Sequence, residues 1–265
     1  MPGSNRQPHF SPSDFHSPLS AVQAEKVSKR FGRLEAVSEV SFDVPRGTIF
    51  GLVGSDGAGK TTLLRMIATM INPSSGRILV EGLDVVRERA RVKSLIGYMP
   101  QRFGLYQDLT VDENLDFFMD IYGIRGEERE KRREHYLGFS NLLPFLNRRA
   151  ADLSGGMKQK LGLACVLVHE PRFLILDEPT NGVDPVSRQE FLDMLLEMKH
   201  QGMTILISTA YLDEGEKCDR LLLMHRARIL EEASPEEIRS HYTSLEEAMI
   251  HRIKQEDEVL ANDRF

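Results

Sequence analysis

The stretch Gly54-Ser55-Asp56-Gly57-Ala58-Gly59-Lys60-Thr61-Thr62 decides the fold. It follows the short apolar run Thr48–Val53, which suits a strand buried on both faces. It precedes Thr61–Met70, which reads as a helix. The residue types between them share one physical purpose. Glycines let backbone N–H groups turn inward with no Cβ in the way. The helix that follows points its positive end at the same spot. Such a loop is shaped to hold an anion.

The spacing G-x-x-x-x-G-K-[ST], with a strand before and a helix after, is that of a nucleotide phosphate loop. Gly54, Ser55, Asp56, Gly57, Ala58, Gly59, Lys60, Thr61 and Thr62 are therefore expected to cradle the phosphates of a nucleoside triphosphate, which the resemblance drawn below makes ATP. Lys60 reaches the β/γ-phosphates as a point charge, and the Thr61 hydroxyl is a ligand for Mg²⁺. Asp56 adds a carboxylate near the phosphates, which predicts a modest weakening of affinity and no loss of binding.

Outward from the loop, Val37, Val40, Phe42 and Val44 stand among polar residues as on strands, with turns at Gly32 and Pro45-Arg46-Gly47. Phe173–Leu176 and Met203–Ser208 are further buried strands separated by a helix with clear ends. Asp184 can cap that helix, Pro185 suits its first turn and Gly202 can end it. Strands alternating with helices imply a mainly parallel sheet with ligand sites at the strands' C-terminal ends. The segment from about 102 to 168 looks mostly helical, and the charge run Glu127–His135 reads as a solvated helix face. The expected fold class is α/β with a mainly parallel sheet; the family resemblance drawn below implies a RecA-like core with an N-terminal antiparallel β subdomain and an inserted helical subdomain. The expected boundaries are a disordered tail over 1–20, the main domain over 21–240, and an extension or linker over 241–265.

A 265-residue chain is long enough for such a domain, and 41% hydrophobic with 28% charged residues is ordinary for a globular protein. A formal charge of -6 argues against a nucleic-acid-coating protein, so no nucleic-acid partner is expected. No apolar run approaches the ~18 residues of a membrane-spanning helix, and no signal-peptide pattern opens the chain. Cys165 and Cys218 lack metal or CxxC spacing and read as reduced structural residues, which predicts a cytoplasmic setting.

Further segments narrow the family. Leu153-Ser154-Gly155-Gly156-Met157-Lys158-Gln159 resembles the signature motif of ABC ATPases, with Ser154, Gly155 and Gly156 forming a helix N-terminus able to hold a phosphate. Phe173-Leu174-Ile175-Leu176-Asp177-Glu178 resembles a Walker B strand. Asn181-Gly182-Val183-Asp184 is similar to the D-loop, and Gln101 after Gly97-Tyr98-Met99-Pro100 to the Q-loop glutamine. Phe31 in Lys29-Arg30-Phe31-Gly32 sits where the family places an adenine-stacking aromatic.

The resemblance implies that Asp177 holds Mg²⁺ through water, that Gln101 senses the metal and that Glu178 polarises the attacking water. It also implies a head-to-tail dimer in which Ser154–Gly156 contacts the γ-phosphate held by the other subunit, with Asp184 at the crossing. Leu105–Leu115 and Ser244–Ala248 resemble the multidrug and sodium export ATPases, whose permeases are separate polypeptides. The expected partners are thus a membrane permease and a second nucleotide-binding domain, as homodimer, heterodimer or fused second half. The expected place is the inner face of the cell membrane.

One departure stands out. In Ser208-Thr209-Ala210-Tyr211, Ala210 occupies the position of the family's switch histidine. A methyl group can neither hydrogen-bond a γ-phosphate nor hold the attacking water. The chain thereby resembles the first nucleotide-binding domain of fused two-domain exporter ATPases, with a slowed site of its own. The alternative, a soluble ABC ATPase acting on ribosomes or translation, usually brings basic RNA-binding extensions that this sequence does not show. Chromosome and DNA-repair ATPases insert long coiled coils, and the interval from Gln101 to Ser154 is too short for one.

Overall fold

The computed structural model describes residues 20–262. In chain order, β1 (Ser20–Phe31), β2 (Leu34–Pro45) and β3 (Ile49–Gly54) lead into α1 (Lys60–Ile67), β4 (Ser75–Val80) and β5 (Leu83–Asp84). Then come α2 (Arg89–Leu95), β6 (Ile96–Met99), α3 (Val111–Ile121), α4 (Glu127–Phe139), α5 (Gly155–Leu167) and β7 (Phe173–Asp177). The chain continues through α6 (Pro185–His200), β8 (Thr204–Thr209), α7 (Leu212–Gly215), β9 (Arg220–His225), β10 (Arg228–Ala233), α8 (Pro235–Arg239) and α9 (Leu245–Asn262).

These strands form two sheets. One runs β10-β9-β3-β8-β7-β6, parallel from β9 to β6 with β10 antiparallel at its edge. The other, β2-β1-β4-β5, is antiparallel throughout. The unbroken apolar runs of the central strands follow from burial on two faces. Leu174 and Leu176 of β7 point into a core shared with the helices, among Leu115, Leu161 and Leu195. Their neighbours Phe173 and Ile175 point the other way, into a core shared with α1 and the antiparallel sheet, among Val22, Leu63 and Ile78. The parallel sheet is thus the middle layer.

The helical insertion is built around α3. Thr110 caps it and Glu113 bonds back to the Thr110 N–H, a reciprocal capping box. Asn114, fully buried, donates to the carbonyls of Tyr106, Leu109 and Thr110 and accepts from the Tyr106 N–H at 2.9 Å, which fixes the loop entering the helix. The charge run on α4 is more than a solvated face. Arg133 Nε lies 2.8 Å from Asp112, and Arg129 and Arg133 both reach Asp116 on α3. Arg132 bonds Glu170 at 2.9 Å, beyond the C-terminus of α5. Three arginines therefore pin α4 to the rest of the insertion.

Asp184 caps α6, with its carboxylate accepting from the Ser187 N–H at 3.0 Å, and Pro185 fills the first turn as its sequence suggests. The stretch 241–265, expected as an extension or linker, carries the 18-residue helix α9. Leu245 and Ala248 of that helix are buried in the helix-side core, so it packs on the domain and does not simply lead away from it. The charge-rich composition that suggested a linker belongs to the helix's outer face. The expected tail over 1–20 lies outside the described residues except for Ser20, which opens β1.

Candidate functional site

Parallel strands end together, and here four adjacent ones deliver the site. In the registers of β3, β8, β7 and β6, Val53 lies beside Thr209, Ser208 beside Asp177, and Leu176 beside Met99. The chain segments leaving these ends are the Gly54–Thr62 loop, Ala210, Glu178 and Gln101. A pocket of about 480 Å³ opens among them, lined by residues of 56–62 together with Leu34, Glu35, Ala36, Gln101, Glu178 and Asn181.

The loop takes the predicted shape. Gly57 and Gly59 have φ of 78° and 108°, where a side chain would be strained. Lys60 is 4% exposed, with Nζ donating to Gly54 O at 2.7 Å and Ser55 O at 3.2 Å. Its ammonium also lies 3.2 Å from Glu178 Oε1. The other Glu178 oxygen accepts from Gln101 Nε2 at 2.8 Å. Glu178 itself has φ of 48°, in the left-handed region, a strain of order 1 kcal/mol of the sort that collects at working sites. Its N–H is anchored by Ser208, to the carbonyl at 3.1 Å and to Oγ at 3.0 Å.

Asp177 is fully buried behind this arrangement. Its Oδ1 accepts from Thr61 Oγ1 and from Ser208 Oγ, both at 2.9 Å, and Tyr98 OH sits 3.4 Å from Oδ2. Burial, and secondarily the Asp177 charge, push the Tyr98 hydroxyl up to about 12, so it stays a neutral donor. Thr61 and Gln101 line the pocket, Asp177 lies buried against Thr61, and all three side chains offer oxygen donors. That chemistry suits a hard cation such as Mg²⁺ and not a thiolate-seeking metal. Ser208 and Tyr98 escaped sequence reading because a lone Ser or Tyr on an apolar strand carries no motif.

Five expected residues, at three places, lie outside this pocket. Phe31 does not line the pocket: it is 49% exposed at the end of β1, with Lys29 Nζ 5.0 Å from its ring centre. The adjoining wall comes instead from Leu34, Glu35 and Ala36 across the hairpin, where Leu34 pairs with Phe31. The Ser154–Gly156 segment is also outside the pocket. Ser154 caps α5 by accepting from the Met157 N–H at 3.3 Å, and a Cβ on Gly156 would fall 2.3 Å from Ser187 Cβ. This segment packs beside α6 and leaves Ser154 and Gly155 exposed. Asp184 is likewise exposed, its carboxyl held below the usual range chiefly by the Ser187 N–H.

Ala210 does reach the site. It borders a second space of about 220 Å³ with Asp56, Glu178, Thr180, Asn181, Thr209 and Tyr211. Asp56, Glu178 and Asn181 line both spaces, so the Ala210 methyl faces a continuation of the main pocket.

Comparison with known proteins bears on the family and the fold. Residues 37–181 match the ABC transporter family. The chain is 48% identical over 218 residues to the probable multidrug ABC transporter ATP-binding protein YbhF of Escherichia coli, which covers 82% of this chain. It spans only 38% of YbhF. It is 36% identical over 210 residues to the linearmycin resistance ATP-binding protein LnrL of Bacillus subtilis, covering 79% of this chain and 68% of that one. A solved ATP-binding subunit of an ABC transporter superposes with a TM-score of 0.78 at 29% identity, over 88% of this chain and 100% of the other.

Proposed function

The chain belongs to the ABC transporter family, and from that premise we propose that it binds Mg-ATP and couples hydrolysis to export through a separate membrane permease. The observation that carries the reading is the meeting of Lys60, Thr61, Asp177, Glu178 and Gln101 at the C-terminal ends of adjacent parallel strands. Among the described residues no helix is long and apolar enough to cross a membrane, which fits a motor that works on another polypeptide.

In this reading the backbone N–H groups of 57–61 and the Lys60 ammonium bind the phosphates. Glu178, now held by Lys60 and Gln101, is released when phosphate takes over Lys60, and its carboxylate then orients the attacking water. Thr61, Asp177 and Gln101 would hold Mg²⁺, which neutralises charge on the β- and γ-phosphates when bound. Phe31, paired with the pocket-lining Leu34, offers its exposed ring to the adenine. The Ser154-Gly155-Gly156 helix start, exposed at Ser154 and Gly155, serves the γ-phosphate of a second nucleotide-binding domain in a head-to-tail pair, with Asp184 alongside. That second domain is another copy, a different chain or the other half of a fusion. The motor then sits on the inner face of the cell membrane.

The chain's own site is slow, because at position 210 a methyl, and no imidazole, faces the space beside Glu178. Losing one donor to a developing charge costs about 10²–10³ in rate. The test is steady-state ATPase of the chain against Ala210→His, at concentrations where dimers form. A rise towards that factor is expected. No increase would refute the slowed-site reading, and no nucleotide binding at all would refute the motor.

A further inference from the structure

The β9–β10 connection is a two-residue hairpin, Arg226-Ala227, whose φ angles are 43° and 69°. Both central residues in the left-handed region define the turn that Asn and Gly normally fill. Arg and Ala sit there at a cost, because each Cβ crowds the following carbonyl. Something outside the turn must hold it.

Two attachments do so. On one side Ala227 is buried: its N–H donates to Ala58 O at 3.1 Å and its carbonyl accepts from Ser38 N–H at 2.8 Å. On the other side stands α9. Asp257 Oδ1 lies 2.9 Å from Arg226 Nη1 and 3.3 Å from His225 Nε2. The helix is itself seated by Arg252, which grips both oxygens of Glu231 on β10 at 2.9 and 3.2 Å.

Ala58 belongs to the phosphate loop. In a planar trans peptide the carbonyl of one residue and the N–H of the next point in opposite directions. Holding the Ala58 carbonyl towards Ala227 therefore turns the Gly59 N–H away from the hairpin. Gly59 lines the pocket. A chain of contacts thus runs from the C-terminal helix, through a strained turn, to a peptide of the pocket-lining loop.

We propose that Asp257 is a positioning residue for nucleotide phosphate: by clamping the Arg226-Ala227 turn it fixes the Ala58–Gly59 peptide. The inference rests on the ATP-binding reading of the pocket. The experiment measures Mg-ADP affinity of the full chain by calorimetry for wild type, Asp257→Ala, Asp257→Glu, Arg226→Gly and the Arg226→Gly/Asp257→Ala pair. Asp257→Ala weakens Mg-ADP binding about two- to five-fold, the scale of a partly exposed ion pair, and Asp257→Glu recovers it.

Glycine at 226 adopts the turn without help, so Arg226→Gly binds no more weakly than wild type and removes the dependence on Asp257. A residue that only stabilised the fold would shift the melting temperature and leave the Mg-ADP affinity of the folded chain unchanged. The proposal is overturned if Asp257→Ala binds as wild type does. It also falls if Arg226→Gly alone binds more weakly, or if the double variant loses as much against Arg226→Gly as Asp257→Ala loses against wild type. Failure of wild type to bind Mg-ADP would instead sink the ATP-binding reading and this inference with it.

Discussion

Replacing Glu178 by Gln separates two jobs that the structure gives one carboxylate. Without nucleotide, Glu178 is the counter-charge of Lys60, at 3.2 Å with side chains only 4% and 10% exposed. Removing one member of a buried pair typically costs about 3–5 kcal/mol. Here the loss is smaller, because Lys60 keeps the Gly54 and Ser55 carbonyls and glutamine keeps the shape. About 1–2 kcal/mol is a reasonable remainder. At about 2–4 °C per kcal/mol for a domain of this size, Glu178→Gln lowers the nucleotide-free Tm by about 2–8 °C.

Bound phosphate supplies the missing negative charge. The deficit then closes, and the Tm shift produced by saturating Mg-ATP is larger in the variant by the same 2–8 °C or so. ATPase activity falls at the same time, since the amide cannot polarise water. Thermal melts with and without Mg-ATP, read beside a phosphate-release assay, test both halves. An unchanged nucleotide-free Tm with an unchanged shift would refute the account of Glu178 as the placeholder on Lys60.

The signature glycines differ in what they do for folding. Gly156→Ala drives a Cβ to 2.3 Å from Ser187 Cβ and costs about 1–3 kcal/mol in urea unfolding, whereas Gly155→Ala meets only Gly182 O at 3.9 Å and leaves the midpoint in place; equal midpoints would refute this. Glu214, 1% exposed, has its carboxyl pushed up from 4.5 by burial, against hydrogen bonds from Thr180 and Thr209. A raised carboxyl means that its contribution is fully present below the unfolded value near 4.5 and is lost as pH rises through the folded value. The Tm of Glu214→Gln therefore gains on wild type between pH 4 and pH 8, on the order of the usual titration range, and a constant difference across that range would count against the assignment.

The phosphate loop was legible because its chemistry is local. Gly54–Thr62 supplies turn, amides and cation within nine consecutive residues, and the apolar runs on either side fix the strand and helix that aim it. The buried strands were legible for a related reason: Phe173–Leu176 is apolar at every position, which only burial on both faces permits. Asp184, Pro185 and Gly202 marked the helix between strands through backbone rules that need no neighbours.

Other features exist only where distant segments meet. Nothing in Tyr98 or Ser208 announces a hold on Asp177; register across β6, β7 and β8 creates it. The pocket wall at Leu34–Ala36 and the place of Phe31 outside the lining follow from how the β1–β2 hairpin closes. The seating of α9 hides behind a charged composition, because its few buried side chains, Leu245 and Ala248, are spaced among residues that face water.

By itself, then, the sequence determined the phosphate-binding chemistry, the α/β class and the methyl at position 210, since each is written in residue type and short-range spacing. Only the tertiary structure decided that Glu178 rests on Lys60 and Gln101, and that the signature segment lies away from the chain's own pocket. It alone tied the C-terminal helix to the loop's peptide plane. Those depend on the packing of strands far apart in sequence, and contact energies act through space, where local pattern carries no record of them.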